Sequence, residues 1–94
     1  MSSEMYNPAH PGLVLQDYLE GHNITQVAKH IGVSRVTLSK ILNCRAGITA
    51  EMSLRLSAAL NTNPSFWFDM QGNYDMAQAR KRKRPRIRPL KIAA

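Results

Sequence analysis

Two short helical patterns stand on either side of a single glycine. In ITQVAKHIGVSRVTLSKILN, residues 24–43, apolar side chains recur at helical spacing as Val27, Ala28 and Ile31 and stop at Gly32; Leu38, Ile41 and Leu42 then resume the pattern. Only Gly32 and Val33 separate the two runs, with Ser34 able to cap the second. A corner this tight needs a residue that accepts positive φ, and glycine does so without steric cost. Ala28, four residues earlier, is small enough to let two helices cross closely. Val27, Ile31, Val33, Leu38 and Ile41 are expected to point inward as one cluster, which makes the segment a helix-turn-helix.

The remaining chain follows the same periodicity. No alternating β-branched run suggests a strand. Pro11 suits a first helical turn, and PGLVLQDYLEG carries Val14, Leu15, Tyr18 and Leu19 at helical spacing before Gly21. Thr25 is expected to cap the second helix, QVAKHI, and Thr49 the fourth, AEMSLRLSAAL, whose stripe is Met52, Leu56, Ala59 and Leu60. Asn63 and Pro64 open a fifth, with Phe66, Trp67, Met70, Tyr74 and Ala77 on a broad face. The prediction is an all-α, five-helix domain over residues 6–79, followed by a basic tail, residues 80–94. Pro85, Pro89 and like-charge repulsion leave most of that tail without structure when free.

Charge is divided along the chain. Residues 80–94 hold eight Lys or Arg and no acid, whereas residues 1–79 hold five basic and six acidic residues. Within the body, Gly21 to Ala50 contains Lys29, Arg35, Lys40 and Arg45 but no Asp or Glu. A basic patch beside an acidic remainder suits a face that meets a polyanion. No apolar run nears the ~18 residues a membrane span requires, and the N-terminus has no secretory pattern, so a cytoplasmic location is expected. Cys44 is the only cysteine, which excludes an internal disulfide.

Projected at about 100° per residue, the third helix turns Leu38, Ile41 and Leu42 to one side and Val36, Ser39, Lys40 and Asn43 to the other or near it, with Arg35 at its N-terminal end. The second helix of such a motif enters the major groove N-terminus first. Arg35 then suits a bidentate bond to guanine, Val36 a thymine methyl, and Ser39 and Lys40 bases or phosphates one turn on. Gln26, Ser34, Thr37, Asn43 and Arg45 are assigned to the DNA backbone.

Three stretches carry a family likeness. HPGLVLQDYLEGHNITQVAKHIGVSRVTLSKILN, GITAEMSLRLSAALNTNPSFWFDMQ and YDMA together resemble the HigA-type, or VapI-like, antitoxins of the Xre family of helix-turn-helix proteins. The likeness spans residues 6–79 and leaves the tail outside. It implies a lambda-repressor-like fold, dimerisation on a palindromic operator in the protein's own promoter, and neutralisation of a partner toxin that cleaves mRNA. Where many relatives have glycine after the asparagine ending the reading helix, this chain has Cys44, at a strain cost of roughly 1 kcal/mol if the left-handed geometry is kept.

His10, His22, His30 and Cys44 show no metal-ligand spacing, and no phosphate loop, carboxylate pair or activated nucleophile is visible. No metal, cofactor or enzyme activity is therefore expected. The fifth helix carries more apolar surface than a small core needs. Phe66 and Met70 are expected inside, with Trp67, Tyr74 and Met76 nearer a dimer contact, and Gly72 hints at a close neighbour. Two alternatives stand beside the repressor-antitoxin reading: a solitary Xre-type repressor, and an inhibitor that mainly binds protein.

Overall fold

The computed structural model describes residues 7–92. The expected domain start at Tyr6 and the last tail residues, Ala93 and Ala94, lie outside the described residues. Five helices and no strand occur among the described residues: α1 Pro11–Tyr18, α2 Ile24–Ile31, α3 Arg35–Leu42, α4 Ala50–Leu60 and α5 Phe66–Arg80. Residues 83–92, beyond α5, have no regular structure and are exposed throughout.

Local chemistry explains most of the boundaries, with three corrections to the sequence reading. The α1 helix ends at Tyr18, and Leu19 to Gly21 form a turn in which Gly21 takes φ +84°. The cap of α2 is Asn23, not Thr25: Asn23 Oδ1 accepts from the Gln26 N–H at 3.1 Å. Asparagine and threonine both make good caps, and capping at Asn23 brings Ile24 into the helix, where it packs against the core. The α5 helix opens at Phe66 rather than Pro64, because Asn63 Oδ1 accepts from the Ser65 N–H at 3.0 Å and holds Pro64 and Ser65 in a turn.

The core joins all five helices. Leu15, Leu19, Ala28, Ile31, Leu38, Ile41, Leu42, Ile48, Met52, Leu56 and Trp67 are buried, and Val27, Val33, Phe66 and Met70 pack against them. The buried face of α4 differs from the expected stripe. Ala59 is exposed, while Ser53 and Ser57 are buried beside Met52 and Leu56. Their hydroxyls are satisfied by the α4–α5 loop: Ser53 Oγ donates to Pro64 O and Ser57 Oγ to Asn63 O, both at 2.8 Å. Ser53 Oγ also accepts from the Phe68 N–H at 3.1 Å. Buried hydroxyls bonded in this way cost little and fix how α5 leaves α4.

Trp67 lies at the centre, not at a dimer contact. Its side chain is wholly inaccessible, Nε1 donates to Thr62 Oγ1 at 3.2 Å, and the rings of Tyr18 and Phe66 stand edge-on to it, each at 5.0 Å. A large ring that can also satisfy its one N–H is worth more in the core of a small domain than on its surface. Nor does Gly72 have a close neighbour: a side chain there would meet nothing within 4 Å.

Gly12 is the opposite case. A Cβ at that position would overlap the carbonyl oxygen of Ile41, so α1 and α3 touch backbone to backbone. The same end of α1 is capped by His10, whose Nδ1 accepts from the Gly12 N–H at 2.9 Å. The His10 ring is buried edge-on to Tyr74 at 4.9 Å. Burial pushes the imidazole below its ordinary value, and the charge of Asp75 offsets this in part.

Two stability predictions follow from these contacts. Gly12→Ala should cost about 2–3 kcal/mol by overpacking, while Gly72→Ala should gain roughly 0.5–1 kcal/mol from helix propensity; urea unfolding of the two variants checks both signs. His10 folds neutral, so the unfolded chain takes up the proton first as pH falls. Its contribution is complete above its ordinary pKa of about 6.5 and is lost as pH drops through the lower folded value. Stability measured across that window should decline toward acid, and His10→Asn, which keeps a capping oxygen, should flatten the decline.

Candidate nucleic-acid interface

The third helix has eight residues, too few to persist alone in water, so its position is set by what holds its ends. At the N-terminus, Ser34 Oγ accepts from the Thr37 N–H at 3.0 Å and lies 2.9 Å from Thr37 Oγ1. With Ser34 donating in that second bond, the Thr37 hydroxyl proton is left to donate outward. At the C-terminus, Gln16 Nε2 of α1 donates to Leu42 O at 2.6 Å. The Asn43 side chain donates to Ser39 O at 2.9 Å and to Ser39 Oγ at 3.3 Å.

The corner before α3 is fixed twice. Gly32 adopts φ +80°, ψ +31°, and the N–H groups of Gly32 and Val33 bond back to Lys29 O and Ala28 O. This is the paired arrangement that closes a helix on a left-handed residue. From α4, Arg55 Nη1 donates to Ile31 O at 2.8 Å and to Gly32 O at 3.3 Å, while its Nε pairs with Glu51 at 3.0 Å. The Arg55–Glu51 pair is largely exposed and worth little by itself. The bonds to the carbonyls matter more, because they satisfy the open end of α2 and tie the motif to α4.

What α3 leaves uncovered is the row expected from the sequence. Arg35, Val36 and Lys40 are exposed, Val36 at 62 %, and Ser39 is half-buried. Two shallow, open depressions flank the row. Arg35, Ser39 and Asn43 line both of them and form the ridge between. Gln16, Ile24 and Leu42 complete one side, and Val36, Lys40 and Arg45 the other. The only ion pair among the described residues is Arg55–Glu51, so Arg35, Lys40 and Arg45 face outward without a carboxylate partner. Gln26 is also exposed, one helix earlier.

The fragment after α3 carries the strain that glycine would have relieved. Cys44 is exposed and takes φ +60°, with its N–H bonded to Ile41 O at 3.0 Å and the Arg45 N–H to Lys40 O at 2.8 Å. The left-handed closure is therefore kept, and a side chain occupies it. Beyond it, Ile48 N donates to the buried Gln71 Oε1 at 2.8 Å, anchoring the loop to α5. Sequence reasoning missed Gln16, Arg55 and Gln71 as parts of this frame. A polar residue at a helical position reads as solvated, and nothing in its spacing reveals a carbonyl or N–H supplied by a distant segment.

A helix-turn-helix family profile matches residues 15–67. The chain belongs to the Xre family of helix-turn-helix proteins. Among its relatives, virulence-associated protein A′ of Dichelobacter nodosus is 42 % identical over 92 % of this chain and 77 % of its own. The Pseudomonas aeruginosa antitoxin HigA, solved with the higBA promoter, superposes with a TM-score of 0.73 at 32 % identity, covering 78 % of this chain and 83 % of that one. Antitoxin GraA, solved in complex with its operator, gives a TM-score of 0.72 at 36 % identity over 79 % and 78 % of the two chains.

Relieving the strain at Cys44 provides a direct test of the α3 frame. Cys44→Gly should raise stability by about 1 kcal/mol, which for a domain of this size moves the melting temperature up by roughly 4–8 °C. A calorimetric or circular-dichroism melt reads the shift.

Proposed function

We propose that this chain is a DNA-binding transcriptional repressor that acts as a dimer on a palindromic operator and also serves as the antitoxin of a toxin that cleaves mRNA. The observation that carries the DNA reading is the exposed row Arg35, Val36, Ser39 and Lys40 on a helix whose other face is buried. Arg35 offers a planar fork for guanine O6 and N7, Val36 an apolar contact for a thymine methyl, and Ser39 and Lys40 donors one turn on. Gln26, Thr37, Asn43 and Arg45 are assigned to phosphates, with Ser34 shaping the helix start between them. In this role the protein binds and does no chemistry, and its place of action is the cytoplasm.

The antitoxin role is supported by the names of its solved relatives HigA and GraA, both antitoxins. For the dimer contact, Tyr74 and Met76 stay as candidates and Trp67 is withdrawn. Phe68 and Met76, 47 % and 53 % exposed, stand two turns apart on α5, and Leu54 of α4, at 54 %, follows Ser53, which bonds the Phe68 backbone. Apolar side chains this exposed on adjacent helices suit a contact between two copies. A two-fold dimer then presents its reading helices to half-sites about one helical turn, roughly 10 bp, apart or a multiple of it.

Selection of bound duplexes from random DNA tests the reading. The wild-type chain should enrich a two-fold symmetric site. Arg35→Ala should relax preference at one base pair per half-site and weaken operator binding by about 1–3 kcal/mol at each. An Arg35→Ala profile indistinguishable from wild type would remove that residue from the base-reading set. Co-purification of a small nuclease encoded in the adjacent reading frame tests the antitoxin half; a chain that binds its operator but never retains such a partner would be a solitary repressor.

A further inference from the structure

The basic C-terminal segment lies outside the matched family region, residues 15–67, and the contacts described so far give it no task. Its sequence from Arg80 is RKRKRPRIRPLKI, and every residue from Arg80 to Ile92 is exposed. Arg84 turns back to donate to Ala79 O at the end of α5, and Lys81 Nζ donates to Asn7 Oδ1 at 3.1 Å. These contacts fix the root of the segment and leave Pro85 onward free of the domain. Two prolines then restrict the backbone: each holds its own φ near −65° and drives the residue before it, Arg84 or Arg88, into extended geometry. The PRIRP stretch, which has no regular structure, is therefore biased toward extended backbone at both of its ends.

In such proline-bounded backbone each residue advances the chain by about 3.1 Å, so residues two apart lie roughly 6 Å from each other along it. Arg86 and Arg88 thus form a pair of guanidinium groups spaced by about two base-pair rises of 3.4 Å. The stretch has no bulk to fill a major groove roughly 12 Å wide, but a single extended chain suits a minor groove about 6 Å wide. That groove is narrowest and most negative over A·T-rich sequence, where arginine is the favoured guest. From the root at Arg84 the chain reaches Arg88 within at most about 14 Å, so the two arginines meet DNA that passes close to the end of α5.

We infer that residues Pro85–Pro89 form a minor-groove arm, in which Arg86 and Arg88 enter A·T-rich DNA flanking the site held by α3. This rests on the proposed DNA-binding function and adds a second contact of a different kind. The arm reads groove width rather than base edges, and it extends the footprint beyond the half-site.

The test uses the full chain on its selected operator, embedded in A·T-rich or G·C-rich flanks, with affinity measured over a series of salt concentrations. Wild type should bind the A·T-flanked duplex at least several-fold more tightly. R86A/R88A should abolish that flank preference and reduce the magnitude of the salt slope by about 3.6, the loss of four cationic contacts in the bound dimer, two from each copy, at roughly 0.9 each. It should leave base preference within the operator unchanged, since both side chains are exposed and lie beyond the end of α5. R86K/R88K should retain the salt slope and lose most of the flank preference. Equal affinity for both flanks in wild type, with or without a change in slope, would overturn the minor-groove assignment and leave the tail on phosphates alone. Equal flank preference in wild type and R86A/R88A would overturn it as well. Failure to select any operator would instead strike the DNA-binding function itself, so the two failures are distinct.

Discussion

The geometry of the exposed row depends on the corner at Gly32. There the backbone turns through a left-handed residue, and the guanidinium of Arg55 fills the space a side chain would take, with Nη1 on the carbonyls of Ile31 and Gly32. A Cβ at Gly32 would stand 2.7 Å from that nitrogen and displace it, so the dihedral angles require glycine and the room it leaves lets Arg55 make these bonds. The angle between α2 and α3 is therefore fixed by α4, an element that takes no part in the exposed row. The second clamp, Gly12 against Ile41, is set by α1. Held from both sides, an eight-residue helix keeps one orientation that its own hydrogen bonds could not maintain.

Features that arise from neighbours in sequence were legible. The glycine corner, the Ser34 and Thr49 caps, Pro11 in the first turn and the burial of Leu38 and Ile41 all follow from spacing and local chemistry. The same is true of the exposed row, because a helix that buries three of its positions must turn the others outward. Features that arise from pairing across the chain were not legible. The α2 cap falls at Asn23 instead of Thr25 because the position of a good cap depends on whether Ile24 finds a place in the core. Trp67 looked like surplus apolar area because the socket formed by Tyr18, Phe66 and Thr62 exists only after α1 and α5 meet. Ser53, Ser57 and Gln71 read as solvated for the same reason: their partners come from the α4–α5 loop, from Ile48 and from Asp75.

The helix ends show how one motif is filled at different cost. Three helices close on a left-handed residue with the same paired backbone bonds or the longer of the two. Glycine serves after α2, cysteine after α3 and asparagine after α4, with φ +80°, +60° and +59°. Glycine adopts this region freely and asparagine tolerates it. Cysteine does neither, and its N–H and that of Arg45 still close the helix at 3.0 and 2.8 Å. The closure therefore outweighs the strain, at the one end that borders the exposed row.

That row is largely separate from the frame that carries it. Arg35, Val36 and Lys40 contribute nothing to the buried core, so exchanging them should leave the fold within the ±0.5 kcal/mol typical of surface positions. Ser39 is different. Its carbonyl and hydroxyl both receive the Asn43 side chain, and it forms the ridge between the two depressions with Arg35 and Asn43. A change at Ser39 alters a surface contact and the local support of the helix end together. In the proposed reading, base preference can thus be retuned at three positions without touching stability, whereas the fourth is constrained by the two bonds it receives from Asn43.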